Sequence, residues 1–262
     1  MKADQTVKVF EPIEHDSVAD AVVDQIEGLI VAGVLKEGRK LPAEREIADA
    51  MGVSRPKLRE ALKRLEDAGL ILVRHGEGSF IAPLVGKALS PALTALFSRR
   101  KSAVFDHLEY RRQQEGFAAS LAAQRATALD RERLSDLMGR LQAAHDDGDN
   151  VASQAADLEF HVAIVDASHN ATLIHMMASI YELTMQGVLY NRDMLRTIPG
   201  ASDHLLAQHL TIGQAIQQGN APEAEAAAMA HMDYVASSLR QCHEIEERDR
   251  VAMKMKLFRE EG

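Results

Sequence analysis

The segment from Ser17 to Ala82 constrains the fold most, because its helix signals and stop signals fall in one fixed order. Val18, Val22, Ile26 and Ile30 recur at i, i+4 spacing, with Asp16 or Ser17 able to cap the run and Gly33 able to end it. Leu35 to Pro42 reads as a loop. The pattern then predicts a second helix from Ala43 to Met51, stopped by Gly52. A third is capped by Ser54, tolerates Pro56 in its first turn and runs to about Ala68, with Gly69 closing it. Two short β-rich runs follow, Leu70–Arg74 and Ser79–Ala82. They flank His75-Gly76-Glu77-Gly78, whose glycines permit the positive φ of a tight hairpin tip. Three helices and a hairpin in so short a span make a winged helix-turn-helix layout.

Everything after Ser102 reads as helical, with helices predicted near 103–126, 130–147, 151–168, 171–192, 203–219 and 222–245. Asp130 as a cap, Gly148-Asp149-Asn150, Ser168-His169-Asn170, Pro199-Gly200 and Gly219 to Pro222 punctuate them. The expected fold is therefore mostly α. Residues 1–83 form the winged helix-turn-helix domain, with 1–14 a flexible arm, and 84–101 form a linker holding a short helix around 91–97. Residues 102–243 form an all-α antiparallel bundle, and 244–262 a charged tail, either an extended helix or a frayed end. Ala, Leu, Met, Glu and Gln outweigh Val, Thr and Tyr, the usual bias of an α protein. No apolar run approaches the ~18 residues that span a bilayer, and Met1-Lys2-Ala3-Asp4 has no apolar signal core behind it. Cys242 is the sole cysteine, so a cytoplasmic chain with no membrane partner is expected.

A formal net charge of −9 argues at first sight against a polyanionic partner. Phosphate contacts are local, however. Between Gly52 and Leu65 stand Arg55, Lys57, Arg59, Lys63 and Arg64 against the single acid Glu60, while acids gather in Asp130–Asp149 and Glu244–Asp249. The charges describe a basic head on an acidic body.

Leu41-Pro-Ala-Glu-Arg-Glu-Ile-Ala, Gly52-Val-Ser-Arg-Pro-Lys-Leu-Arg-Glu-Ala-Leu, Leu65-Glu-Asp-Ala-Gly-Leu and Gly76-Glu-Gly-Ser-Phe closely resemble the GntR family of bacterial transcription regulators, over roughly residues 15–83. The resemblance implies a recognition helix whose first turn enters the major groove of double-stranded DNA. Arg55 or Lys57 can then donate to guanine O6/N7, and Ser54 and Arg59 suit phosphate. The family's pattern also sets Arg45 at the DNA. In the wing, His75 and Gly76 would approach the minor groove. Glu44 and Glu60 are expected to make ion pairs within the domain rather than to read DNA.

In the helical half, Asp157 and His161 stand at i, i+4 on one predicted helix, and His209 and His231 follow on two later ones. Three imidazoles and a carboxylate suit a divalent transition ion, Zn²⁺ or alternatively Ni²⁺ or Mn²⁺. Residue types alone leave surface polar pairs open, since the chain holds 11 histidines. The segments Asp157 to Asn170, His209 to Asn220, Ala224 to Met232 and Arg111 to Ala123 are similar, however, to the FCD effector domain of FadR-type GntR regulators. Metal-bearing members of that group carry Asp, His, His and His at the positions of Asp157, His161, His209 and His231. The group often presents a pocket arginine at the position of Arg111, able to hold a carboxylate effector; the alternative is a bundle-surface ion pair with Glu115. His204 falls one helical step off the family position. His169 and His175 are expected to be solvated or capping, Asn170 to cap its helix, Met176, Met177 and Met185 to be core or pocket wall, and Cys242, near the last helix's end, to be inert.

The resemblance implies a homodimeric DNA-binding regulator, a repressor on a two-fold-related operator, rather than an enzyme. Its operator affinity would be set by a small carboxylate effector bound at the metal. The segment Glu109 to Ala119 looks like subgroups that answer to lactate, glycolate or pyruvate, which points to a 2-hydroxy or 2-oxo monocarboxylate. Two alternatives are a regulator for which the ion itself is the signal and, further off, a metalloenzyme.

Overall fold

Ser17 opens the first helix by trading hydrogen bonds with Asp20. The Asp20 amide donates to the Ser17 hydroxyl at 3.1 Å, and the Ser17 amide donates to the Asp20 carboxylate at 2.9 Å. This reciprocal box satisfies two amides that a helix start otherwise leaves unpaired. The computed structural model describes residues 17–84, 99–185, 195 and 197–260. The expected arm at 1–14, the short helix around 91–97 and residues 186–192 of the fourth bundle helix lie outside the described residues. The chain divides into two units, Met1–Gly86 and Lys87–Gly262.

The first unit contains α1 (Val18–Val31), α2 (Glu44–Met51), α3 (Arg55–Asp67), β1 (Ile71–Arg74) and β2 (Gly78–Ile81). Ala19, Val22, Ile26 and Ile30 of α1 bury against Leu58, Ala61, Leu62 and Leu65 of α3 and against Ile71 and Ile81 of the hairpin. Val18, expected on that face, is half exposed, and Ala19 takes its place. Ser54 occupies the position before α3, but its hydroxyl makes no capping bond. The hairpin is antiparallel, with Ile71 opposite Ile81 and Arg74 opposite Gly78. At its tip Gly76 has φ 77°, a conformation that costs glycine nothing.

The stretch read as a loop turns out to complete this sheet. Leu41 donates its amide to the Ser79 carbonyl at 2.8 Å, Ile81 donates to Arg39 at 2.9 Å, and Gly38 donates to Ile81 at 3.0 Å. The backbone of 38–41 thus covers one edge of the wing, which would otherwise present open donors and acceptors.

The second unit contains α4 (Lys101–Arg125), α5 (Ala128–Asp146), α6 (Asn150–Ala167), α7 (Ala171–Met185), α8 (Ala201–Gln217) and α9 (Ala221–Glu260). Among the described residues no helix is long and apolar enough to cross a membrane. The N-cap of α5 is Thr127, not Asp130, which supplies the other half of the capping box. Asp149 accepts from the Val151 and Ala152 amides at 3.0 Å to start α6, and Asn170 accepts from Leu173 at 3.1 Å to start α7. Helix ends are met by cations: Arg131 donates to the carbonyls of Ile216 and Gln217 at the end of α8, and Arg125 to Ser168 just past α6. Such pairs satisfy orphan carbonyls and suit the negative helix terminus.

Ala118, Ala119 and Ala122 line α4 where Leu134, Leu137, Phe160, Ile212 and Ile216 close around it. Small side chains let the helices approach closely. Gly116 does the same toward α9, since a Cβ there would stand 2.6 Å from Met229 Cγ. Met177 is core as expected, whereas Met176 is 43% exposed; the Met185 side chain lies outside the description. The charged tail is neither loop nor separate element, because α9 continues unbroken to Glu260. Cys242 therefore sits buried in mid-helix rather than near its end.

Leu65 is wholly buried at the α1–α3 contact. Leu65→Ala is expected to cost about 2–5 kcal/mol, read as a lower urea midpoint by circular dichroism; an unchanged midpoint would contradict this packing.

Candidate functional site

A polar stripe runs along α4 at intervals of four residues: His107, Arg111 and Glu115, all buried. Arg111 donates from Nε at 2.8 Å and from Nη2 at 2.5 Å to Glu115 Oε1. The pair with Glu115, weighed as a bundle-surface alternative, forms but is interior, with both side chains about 5% exposed or less. The other carboxylate oxygen of Glu115 lies 2.6 Å from His161 Nδ1 on α6. Burial pushes the Glu115 carboxyl up, but the charges of Arg111 and His161 and their hydrogen bonds prevail and hold it down at about 2. Glu115 is therefore a carboxylate inside the protein.

With Nδ1 of His161 turned to Glu115, its Nε2 faces α8. There it meets His209 Nε2 at 3.3 Å and Asp157 Oδ1 at 3.8 Å. Asp157 Oδ1 and His209 Nε2 are 2.9 Å apart. His231 of α9 completes the group: its ring centroid is 4.5 Å from that of His209 and 5.3 Å from that of His161. Ligand nitrogens of the three imidazoles all lie within 4.8 Å of one another. Gln208 Oε1, 3.1 Å from His231 Nδ1, fixes that ring as Glu115 fixes His161. Phe160, wholly buried, stands edge-on to both His161 and His209 and walls off one side.

This donor set fits a divalent transition ion. Ligand atoms about 2.1 Å from such an ion stand about 3.0–3.4 Å from one another; the spacings of 2.9 and 3.3 Å lie close to that range, and the His161–Asp157 spacing of 3.8 Å is somewhat longer. A carboxylate or carbonyl oxygen that orients a ligating imidazole is the usual outer partner at such a site. The four side chains predicted from sequence thus meet at one place. Glu115 in this role and Gln208 were not anticipated.

Two cavities adjoin the cluster. A partly open cleft of about 40 Å³ reaches Asp157 and His209 between Leu141, Ser153, Gln154 and Ser202. A smaller one of about 10 Å³ lies by Glu115, His161 and Tyr181. At the mouth of the first, His145 Nδ1 lies 3.2 Å from Ser202 Oγ and its Nε2 3.0 Å from Asp203. His204 is not part of the group and stacks on Tyr234 at 4.3 Å. His169 instead lies 2.8 Å from Asp130, on the bundle surface.

In the first unit, Arg45, Ser54, Arg55, Lys57, Arg59, His75 and Gly76 are all exposed. Glu44 of α2 accepts from Arg59 Nε at 2.7 Å and lies 4.0 Å from Arg55 Nη2. Lys57 donates to Glu60 at 2.8 Å. Both acids therefore pair within the domain, and Glu44 gathers two of the arginines at the start of α3.

The chain matches the family model for the FCD domain over residues 106–234 and that for bacterial regulatory proteins of the gntR family over residues 18–81. It is 35% identical over 231 residues to the "Putative L-lactate dehydrogenase operon regulatory protein" of Escherichia coli (strain K12), covering 87% of this chain and 88% of that protein. It is 34% identical over 212 residues to the HTH-type transcriptional regulator LutR of Bacillus subtilis (strain 168), covering 80% and 96%. The Glc operon transcriptional activator of Escherichia coli (strain K12) is 32% identical over 236 residues, covering 89% and 92%.

Burial, reinforced by the Arg111 charge and opposed by that of Glu115, lowers His107 from 6.5 to about 4. The unfolded chain therefore binds a proton that the folded one refuses between these values. Stability contributed at neutral pH is lost as pH falls through that window, by up to about 3 kcal/mol. Urea midpoints between pH 7 and 4 are expected to fall more steeply for the parent than for His107→Gln; parallel slopes would refute this.

Proposed function

Because the chain belongs to the GntR family of DNA-binding transcription regulators, with an FCD domain behind its winged helix-turn-helix head, we propose that it is a repressor governed by a small organic acid. The acid, a 2-hydroxy or 2-oxo monocarboxylate, binds at a metal held by Asp157, His161, His209 and His231. The observation that carries this reading is the convergence of three buried imidazoles, with the Asp157 carboxylate 2.9 Å from one of them, beside an open cleft. Names among the relatives support the acid class, since one refers to a lactate dehydrogenase operon. Zn²⁺ is the proposed ion, with Ni²⁺ or Mn²⁺ the next choices for this donor set.

When bound, the ion supplies open coordination positions for a carboxylate and the oxygen next to it. The chain's own residues do the rest. Glu115 and Gln208 hold the imidazoles in the donor orientation. Ser153, Gln154 and Ser202 offer hydrogen bonds along the cleft, and Leu141 keeps one wall apolar. The Nε–Nη2 edge of Arg111 is held by Glu115 and Arg111 lines neither cavity, so in this reading Arg111 holds Glu115 in place rather than touching the acid.

On the DNA side, Arg55 and Lys57 read base edges, and Arg45, Ser54 and Arg59 hold phosphates. His75 and Gly76 enter the minor groove. A homodimer would place two heads on a two-fold-related operator. Acid that binds the two arrangements of the dimer unequally shifts operator affinity, by about 5–150-fold for a coupling of about 1–3 kcal/mol.

The test is operator binding by fluorescence anisotropy, with metal varied at fixed lactate and lactate varied at fixed metal. The acid is expected to weaken binding only in metal-loaded protein. A response to metal alone would make the ion the signal and overturn the proposal. Arg55→Ala is expected to lose about 1–3 kcal/mol of specific affinity with the assembly intact. His209→Ala combined with His231→Ala is expected to lose both bound metal and the acid response while still binding operator.

A further inference from the structure

The cleft that reaches the imidazole cluster has a direction. On α8, Ser202, Leu205, Leu206 and His209 share one face, and Ser202 stands about 10 Å from His209 along the axis. On α6, Ser153 lies one turn outward of Asp157, and on α5, His145 lies one turn outward of Leu141. The three helices thus set Asp157 and His209 at the inner end of the cleft and His145, Ser153 and Ser202 at its mouth.

Between the two ends the wall is apolar. Leu141, Leu195, Leu205 and Leu206 line it, and among the described lining residues none is Lys or Arg. At the mouth both ring nitrogens of His145 are engaged, Nδ1 3.2 Å from Ser202 Oγ and Nε2 3.0 Å from Asp203 Oδ1. The Asp203 side chain is 78% exposed, and Asp146, Asp147 and Asp149, exposed as well, follow His145 at the end of α5. The surroundings of the mouth are therefore anionic.

Burial and charge then sort acids by what they carry away from the carboxylate that sits at the inner end. A short alkyl group gains by covering the leucines. A second carboxylate loses in either position. Among the leucines it is stripped of water with no cation beside it, and at the mouth it faces Asp203.

We propose that the cleft selects 2-hydroxy acids with one carboxylate and a short apolar substituent. The leucines receive the substituent, and Asp203, seated on His145, turns dicarboxylates away. This selection rests on the metal reading above, which sets the acid's first carboxylate at the Asp157–His209 end.

Isothermal titration calorimetry on the full chain loaded with Zn²⁺ tests it, with glycolate, L-lactate and L-malate as probes. L-lactate is expected to bind about fourfold more tightly than glycolate, one buried methyl being the difference, and at least about tenfold more tightly than L-malate. The lactate-to-malate affinity ratio is expected to fall about threefold in Asp203→Asn and about tenfold in Asp203→Lys. Both changes are expected to shrink as salt is raised. Equal zinc content and matching circular dichroism confirm that the substituted chains keep the site and the fold. L-malate or glycolate matching L-lactate in the parent, or a ratio that neither substitution moves, would overturn the selection and leave the metal reading in place. If no acid binds the zinc-loaded parent, both fall.

Discussion

A carboxylate held inside an alanine-lined bundle is the constraint around which the second unit is arranged. Removing Glu115 from water is costly unless its charge is matched. Arg111 matches it from the same helix, and His161 Nδ1 takes the second oxygen from α6. That pairing fixes the His161 ring, and the ring in turn aims Nε2 at His209 and Asp157. The core around it supplies rigidity rather than chemistry: Phe160 blocks one side, and the small residues of α4 let α6, α8 and α9 come close enough to share a few ångströms of space.

The DNA-reading unit solves an opposite problem. Its cations must remain in water until phosphate displaces it, so they are paired only at the surface. Exposed pairs of this sort are worth little to stability. Glu44, on α2, instead gathers Arg59 and Arg55 at the N-terminal turn of α3, where a positive helix end already favours anions. The wing is braced differently, by backbone bonds from residues 38–41.

Periodicity and punctuation made the helices legible, and the i, i+4 spacing of Asp157 and His161 made half of the cluster so. His209 and His231 were findable through resemblance, because only the tertiary fold brings three separate helices together. Glu115 could have been suspected from the regular step His107, Arg111, Glu115, which puts three polar groups on one face of a helix otherwise rich in alanine. Gln208 could not, since it precedes His209 and so points about 100° away from it, toward His231 on another helix. The sheet partner at 38–41 gave no signal because Lys36 to Lys40 is polar and carries no alternation. Thr127 and Asp130 were confused because both residue types begin helices, one as the cap and the other three positions in. The extended end of α9 was ambiguous for a related reason: its charges suit solvent equally well as helix or as coil.

One continuous rod links two of these features. His231 and Phe258 belong to α9 without a break, about 40 Å apart along its axis. A tilt of about 5° at the imidazole end would sweep the far tip through about 3–4 Å by the geometry of a stiff rod. The helix is therefore built like a pointer on a gauge: slight readjustment among buried ring nitrogens is magnified where the molecule meets its surroundings.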